Sequence, residues 1–268
     1  MILNMLKLNS IKKIFSPGTP NEKAALNGVN LEMNETDFIT VIGGNGAGKS
    51  TLLNAIAGIF FVDEGSIEID GNNVTSLPEY ARAKYIGRVF QDTRMGTASD
   101  MTIEENMAMA LRRGKPRTLK KGITSSEREK FKELLSILDL GLETRLKTKT
   151  GLLSGGQRQA LTLLMATMTK PKLLLLDEHT AALDPKTAKK VLELTTQIIG
   201  EEKLTALMIT HNMKDALNHG NRLIMMDKGK ILIDLKENQK KNLKVSDLLL
   251  MFEKASGVGI DNDRMLLS

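Results

Sequence analysis

The chain has 268 residues, 41% apolar and 26% charged, enough to bury a full core in one domain with an internal lobe or in two closely packed lobes. Cysteine is absent, which excludes a disulfide framework and thiolate metal sites and favours a reducing compartment. Basic residues outnumber acidic ones by 38 to 32, a net charge of +6 that permits contact with an anionic membrane surface or nucleic acid without demanding either.

The first stretch, Met5 to Phe15, carries Lys7, Lys12 and Lys13 through its apolar pattern, so it lacks the uninterrupted core of a signal peptide and reads as a strand. Further strands are predicted over Leu26 to Met33, Asp37 to Ile42, Ser66 to Asp70 and Tyr85 to Gln91. Pro17, Gly18 and Pro20 mark the first turn, and Asp70-Gly71-Asn72-Asn73 is turn chemistry. From Asp92 to about Thr150 the pattern becomes helical, with capping boxes expected at Thr102/Glu105 and Ser126/Glu129. Strands and helices then alternate: helix Gly156 to Met168, strand Lys172 to Leu176, helix Thr187 to Ile199, strand Thr205 to Thr210, helix Met213 to His219. That alternation predicts an α/β fold with a mostly parallel sheet covered on both faces. Arg222 to Ile233 reads as a hairpin turning at Asp227-Lys228-Gly229, Leu248 to Phe252 as a last amphipathic helix, and the tail beyond Ser256 as poorly ordered. Spanning a bilayer takes about 20 consecutive apolar residues, and runs such as Leu173 to Leu176 stop far short of that.

Three stretches carry chemistry. Gly43-Gly44-Asn45-Gly46-Ala47-Gly48-Lys49-Ser50-Thr51 lies between an apolar strand and the helical pattern Leu52, Leu53, Ile56, Ala57. This is the context of a Walker A loop, in which backbone N–H groups and the helix N-terminus surround a polyphosphate. Lys49 would meet the β- and γ-phosphates, and the Ser50 hydroxyl the accompanying Mg²⁺. Leu173 to Leu176 form a buried strand ending in Asp177 and Glu178, which suit a Mg²⁺ ligand and a general base for an attacking water. Ser154, a good N-cap, opens Ser154-Gly155-Gly156-Gln157 ahead of a helix and marks a second anion site without a lysine of its own.

In this order, Walker A, Leu153 to Gln157 and the acidic strand end resemble the ABC ATPase family, over about Met5 to Asp234. The resemblance implies a P-loop ABC ATPase fold: a mixed-sheet core over 1–91 and 151–234 with a β-rich N-terminal edge, an inserted helical lobe over 92–150, and a C-terminal helix and tail over 235–268. It implies ATP and Mg²⁺ as ligands and a head-to-tail homodimer, with Ser154, Gly155, Gly156 and Gln157 of one subunit closing on the γ-phosphate held by Lys49 of the other. Gln91 resembles the Q-loop glutamine that senses Mg²⁺ and water, His211 the switch histidine on the γ-phosphate, and Leu183-Asp184 the D-loop. Phe15 is similar in placement to the aromatic that stacks on adenine, although it could equally be a core residue. His179, where the family more often has Pro, and His219 read as structural or solvated, and the fifteen methionines as core filler. The basic run Arg112, Arg113, Lys115, Arg117, Lys120 and Lys121 reads as a solvated loop, with lipid head groups as the other reading.

The function so implied is ATP hydrolysis coupled to solute transport through separate integral membrane permease subunits, an arrangement that resembles bacterial importers most, although some exporters are built from separate chains too. The chain would be peripheral on the cytoplasmic face, with an extracytoplasmic solute-binding protein as an indirect partner and no nucleic acid. The stretches 96–106 and 177–185 look like a subgroup linked to amino-acid uptake, with aromatic amino acids among its solutes. The rival is a soluble ABC ATPase acting on ribosomes or DNA. The translation type resembles two cassettes in one chain, whereas each motif here occurs once, and Gln91 to Leu153 is too short for the coiled coil of the repair type. A P-loop kinase or GTPase would have no use for the Ser154 to Gln157 stretch.

Overall fold

The computed structural model describes residues 4–115 and 122–256. Two long strands, β1 (Asn4–Phe15) and β2 (Lys23–Asn34), pair antiparallel with Leu8 opposite Leu31 and Phe15 opposite Lys23. After β3 (Phe38–Gly43) and α1 (Lys49–Ala57), strands β4 (Glu64–Ile69) and β5 (Asn72–Asn73) complete a four-stranded antiparallel sheet, ordered β2-β1-β4-β5. Alternation along β1 turns Leu6 and Leu8 inward, and an irregularity between Leu8 and Ile11, with Ser10 at positive φ, brings Ile11 to the same side, where they join Leu52, Leu53 and Ile56 of α1 in one apolar cluster.

The short helix α2 (Glu79–Arg82) brings the fully buried Arg82 against the C-terminal end of α1. Its guanidinium donates to Ala55 O (2.8 Å), Ile56 O (2.9 Å), Leu77 O (2.7 Å) and Thr75 O (3.0 Å). A helix end leaves carbonyls without intrahelical partners, and a cation there also suits the negative end of the dipole. Burial pulls the Arg82 pKa down to about 10, so it stays charged at neutral pH.

Strand β6 (Ile86–Val89) is shorter than the predicted Tyr85 to Gln91 and ends before Phe90. Helices α3 (Ile103–Leu111) and α4 (Ser125–Ser136) follow. The capping box of α3 is the expected Thr102/Glu105, but that of α4 is Thr124/Glu127, two residues before the predicted Ser126/Glu129. Thr124 has the extended backbone an N-cap needs, whereas Ser126 already lies within the helix, and Glu127 accepts from the Thr124 N–H at 2.8 Å. α3 and α4 share an apolar cluster with one face of α5 (Gly155–Thr167), through Met107, Phe131, Leu135, Leu161 and Leu164. The other face of α5 joins the sheet core through Leu163 and Ala166, so this helix fastens the helical cluster to the sheet.

The remaining elements are β7 (Leu173–Asp177), α6 (Pro185–Glu201), β8 (Ala206–Ile209), α7 (Met213–Asn218), β9 (Arg222–Asp227), β10 (Lys230–Lys236), α8 (Glu237–Lys240) and α9 (Val245–Ser256). They complete a six-stranded sheet ordered β10-β9-β3-β8-β7-β6, parallel except for β10. The β9–β10 hairpin turns at Lys228 and Gly229, both at positive φ, as its right-handed twist favours. Leu173 to Leu176 are completely buried, as a parallel central strand requires. α9 packs Leu248 and Phe252 on this end of the molecule. In the basic run, Arg112 pairs with Glu127 and Arg113 donates to Ala166 O, so both are bound to the protein surface. Arg117, Lys120, Lys121 and the tail beyond Ser256 lie outside the described residues. Among the described residues no helix is long and apolar enough to cross a membrane.

Candidate functional site

The loop from β3 to α1 passes so close to its neighbours that two positions admit only glycine. A Cβ on Gly43 would stand 2.2 Å from Met226 O, and one on Gly48, at φ +102°, 2.5 Å from Ala25 O. Gly48 is also the N-cap of α1 and supplies no side-chain acceptor, so the first-turn N–H groups are available to an anion. Lys49 folds back over the loop and donates to Gly43 O (2.7 Å) and Gly44 O (3.2 Å). Burial lowers its pKa, and the charges of Glu178 and Asp177 work against that shift.

The loop forms the floor of a cleft of about 440 Å³ lined by residues 45–51, by Phe15, Lys23 and Ala25 on one side and by Glu178 and His211. Phe15 is 38% exposed and meets Phe60 edge-on, ring centroids 5.3 Å apart, so it is a wall residue rather than a core residue. Lys13 Nζ lies 5.7 Å and 5.6 Å from the two ring centroids. Lys23 and Ala25 escaped sequence reasoning. The signal that finds Lys23 is its place opposite Phe15 in the β1–β2 register, which needs the pairing to be known.

Across the cleft, β7 stops at Asp177 and the backbone at Glu178 turns left-handed, φ +45°. The Glu178 N–H still donates to Ile209 O at 3.1 Å, so the turn is tied to β8. A left-handed glutamate is a strained residue of the kind that concentrates at functional sites. Its carboxylate, 8% exposed, meets His211 Nε2 at 2.5 Å. Asp177 lies beside the cleft. Desolvation raises its pKa foremost, while the charges of Arg88 and Lys49 lower it.

The cleft does not gather every predicted residue. Gln91 is exposed just beyond β6 and does not line it. Ser154 caps α5 and forms a capping box with Gln157, and Asp184 caps α6 through Thr187 N. These two caps adjoin: a Cβ on Gly156 would meet Thr187 Cγ2 at 2.1 Å, and one on Gly155 would meet Leu183 at 3.4 Å. Ser154 to Gln157 and Asp184 therefore make one patch outside the cleft of their own chain. His179 is buried, its Nε2 2.9 Å from Thr195 Oγ1, and His219 Nδ1 is 2.8 Å from Thr196 Oγ1, so both are structural.

Residues 26–181, which include the phosphate loop, the Ser154 cap and the acidic strand end, match the ABC transporter family. The chain belongs to the ABC transporter family. It is the ATP-binding, ATP-hydrolysing subunit of such a transporter, with the ATPase fold that its motifs resembled. It is 43% identical to the tyrosine transport ATP-binding protein of Clostridioides difficile (strain R20291), over 94% of this chain and 100% of that protein. It is 34% identical to the spermidine/putrescine import ATP-binding protein PotA of Haemophilus influenzae, over 86% of this chain but 57% of that longer relative. Among solved structures, the dimeric post-hydrolysis state of the ATP-binding cassette MJ0796 bound to ADP and Pi superposes with a TM-score of 0.73 at 30% identity. The match covers 87% of this ABC subunit and 99% of that chain.

Proposed function

We propose that this chain powers import of an amino acid, tyrosine or an aromatic relative, by working as an ATP-dependent homodimer beneath separate membrane permease subunits that an extracytoplasmic binding protein supplies. The observation that carries the solute class is the 43% identity running along the whole of the tyrosine transport relative. The dimeric cassette at 30% identity supports the homodimer. The cytoplasmic face of the membrane is the place this assembly requires, since the chain would meet the bilayer only through its permease.

In this reading the loop amides of residues 43–48 and Lys49 hold the phosphates, and Thr51 and Asn45 complete the cradle. Phe15 offers its open ring face to adenine. Ser50, which lines the cleft, and Asp177 beside it are oxygen donors that suit a hard cation that keeps several waters and binds with a triphosphate, which fits Mg²⁺, and Gln91, exposed outside the cleft, would join them as its loop moves in. Bound there, Mg²⁺ neutralises charge developing on the phosphates. Glu178 takes the proton of the attacking water, and His211 holds the carboxylate in place and hydrogen-bonds the γ-phosphate. Ser154, Gly155, Gly156, Gln157 and Asp184 lie outside their own cleft because they complete the partner's. The α/β core of 1–91 and 151–234 then binds nucleotide and carries the Ser154 cap toward the partner, while the lobe of 92–150 packs on the helix that this cap begins.

Co-purification of the tagged chain from its native membranes tests this reading, with ATPase activity measured on the captured complex as tyrosine is added. A multispanning partner and tyrosine-stimulated hydrolysis are expected. Capture of ribosomes or nucleic acid in place of a membrane protein would overturn the transport reading, and stimulation by an unrelated solute would overturn the solute class.

A further inference from the structure

Arg88, in the middle of β6, has no part in the chemistry above, yet it touches the segments that carry it. Its register partner in β7 is Leu175, and two residues further along the same face stands Asp177, whose Oδ2 is 3.8 Å from Nη2. The same Nη2 donates to Asn54 Oδ1 at 2.5 Å. Asn54 is one turn after Ser50 on α1, hence on the same helix face. The guanidinium lies 4.6 Å from the Phe90 ring, the residue before Gln91, and Nη1 is 3.9 Å from Glu79. Nε is buried with no partner among the described residues. The side chain is 13% exposed and that of Asp177 16%, so the interaction is poorly screened by water.

A planar, permanently charged group is thereby fixed by a strand, a helix and an aromatic ring. At 3.8 Å it is beyond hydrogen-bond reach of Asp177, so it attracts the carboxylate without occupying its lone pairs. We propose that Arg88 is a positioning residue that aims the Asp177 carboxylate at the Mg²⁺ bound with ATP and keeps it in register with Ser50 through Asn54. This rests on the reading of Asp177 as a Mg²⁺ ligand. Groups that orient metal ligands typically alter metal affinity about 10- to 100-fold when removed.

The test is Mn²⁺ binding to the ATP complex of the full chain, followed by electron paramagnetic resonance, beside ATP affinity measured in EDTA. Arg88→Met is expected to weaken Mn²⁺ binding about tenfold while ATP affinity in EDTA is unchanged. Arg88→Lys keeps the charge but loses the planar contacts to Asn54 and Phe90, and an intermediate loss is expected; it also serves should the Met variant not fold. In an Asp177→Asn background, Arg88→Met should add nothing, because its effect passes through that carboxylate. Additive losses, or an equal loss of ATP affinity with and without metal, mean a general scaffold role and overturn the proposal. Unaltered Mn²⁺ binding in both Arg88 variants, with Asp177→Asn still weakening it, overturns the Arg88 role alone. Unaltered binding in Asp177→Asn removes the ligand reading and the Arg88 role with it.

Discussion

Glu178 and His211 face each other at 2.5 Å across the end of two adjacent parallel strands, the glutamate held at a left-handed backbone by its tie to Ile209. The contact fixes the carboxylate that, among the described residues, lines the proposed nucleotide cleft beside Lys49. Glu178→Gln keeps the shape and removes the proposed base. Phosphate release in a single turnover should fall about 10²- to 10⁴-fold while ATP binding persists and the ATP-bound dimer accumulates on size-exclusion chromatography. Turnover at the parental rate contradicts the base assignment.

Gly48 and Gly46 belong to the same loop but differ in surroundings. Both have positive φ, yet a Cβ on Gly48 collides with the Ala25 carbonyl, whereas one on Gly46 meets only the tip of Lys23 at 3.4 Å. Gly46→Ala should lose about 1 kcal/mol of stability, at the low end of left-handed strain. Gly48→Ala should lose clearly more, and isothermal calorimetry should find ATP binding abolished, since the N-terminus of α1 has to shift. Equal behaviour of the two variants contradicts the close approach.

Of the four carbonyls served by Arg82, Ala55 O and Ile56 O lie at the end of α1, and Thr75 O and Leu77 O lie in the segment before α2. Arg82→Met leaves several of them unsatisfied and should cost about 3 kcal/mol or more. For a chain of this size that is a fall in Tm of roughly 6–12 °C, measurable by calorimetry. A change under about 2 °C excludes the capping role.

His179 makes stability depend on pH. Burial lowers its pKa from 6.5 to about 4, and Thr195 Oγ1, which gives its own proton to Val191 O, receives the ring Nε2–H. The unfolded chain binds a proton below pH 6.5 while the folded chain resists it, so this contribution is complete above pH 6.5 and is lost as pH falls toward 4. The slope approaches about 1.4 kcal/mol per pH unit within that window. His179→Gln should flatten the pH dependence of denaturant midpoints between pH 6.5 and 4; an unaltered profile excludes it.

The sequence by itself determined the chemistry and most of the elements. Loop 43–51, the Leu173 to Glu178 strand end and the Ser154 cap are each legible along the chain because local backbone rules act over a few residues, and it is their order that resembles the ABC ATPases. Capping registers are decided by backbone shape, which is why Thr124 rather than Ser126 caps α4. Only the tertiary structure decided what crosses from one segment to another. Arg82 reaches the end of α1, Arg88 stands between Asn54 and Asp177, and Lys23 joins the cleft through its pairing with Phe15. It also set Gln91 apart from its own cleft, whereas the family resemblance had already implied that Ser154 and Asp184 face a partner. Such contacts depend on strand register and on the stacking of helices over the sheet, and these are settled by burying apolar surface across the whole molecule rather than by any local stretch.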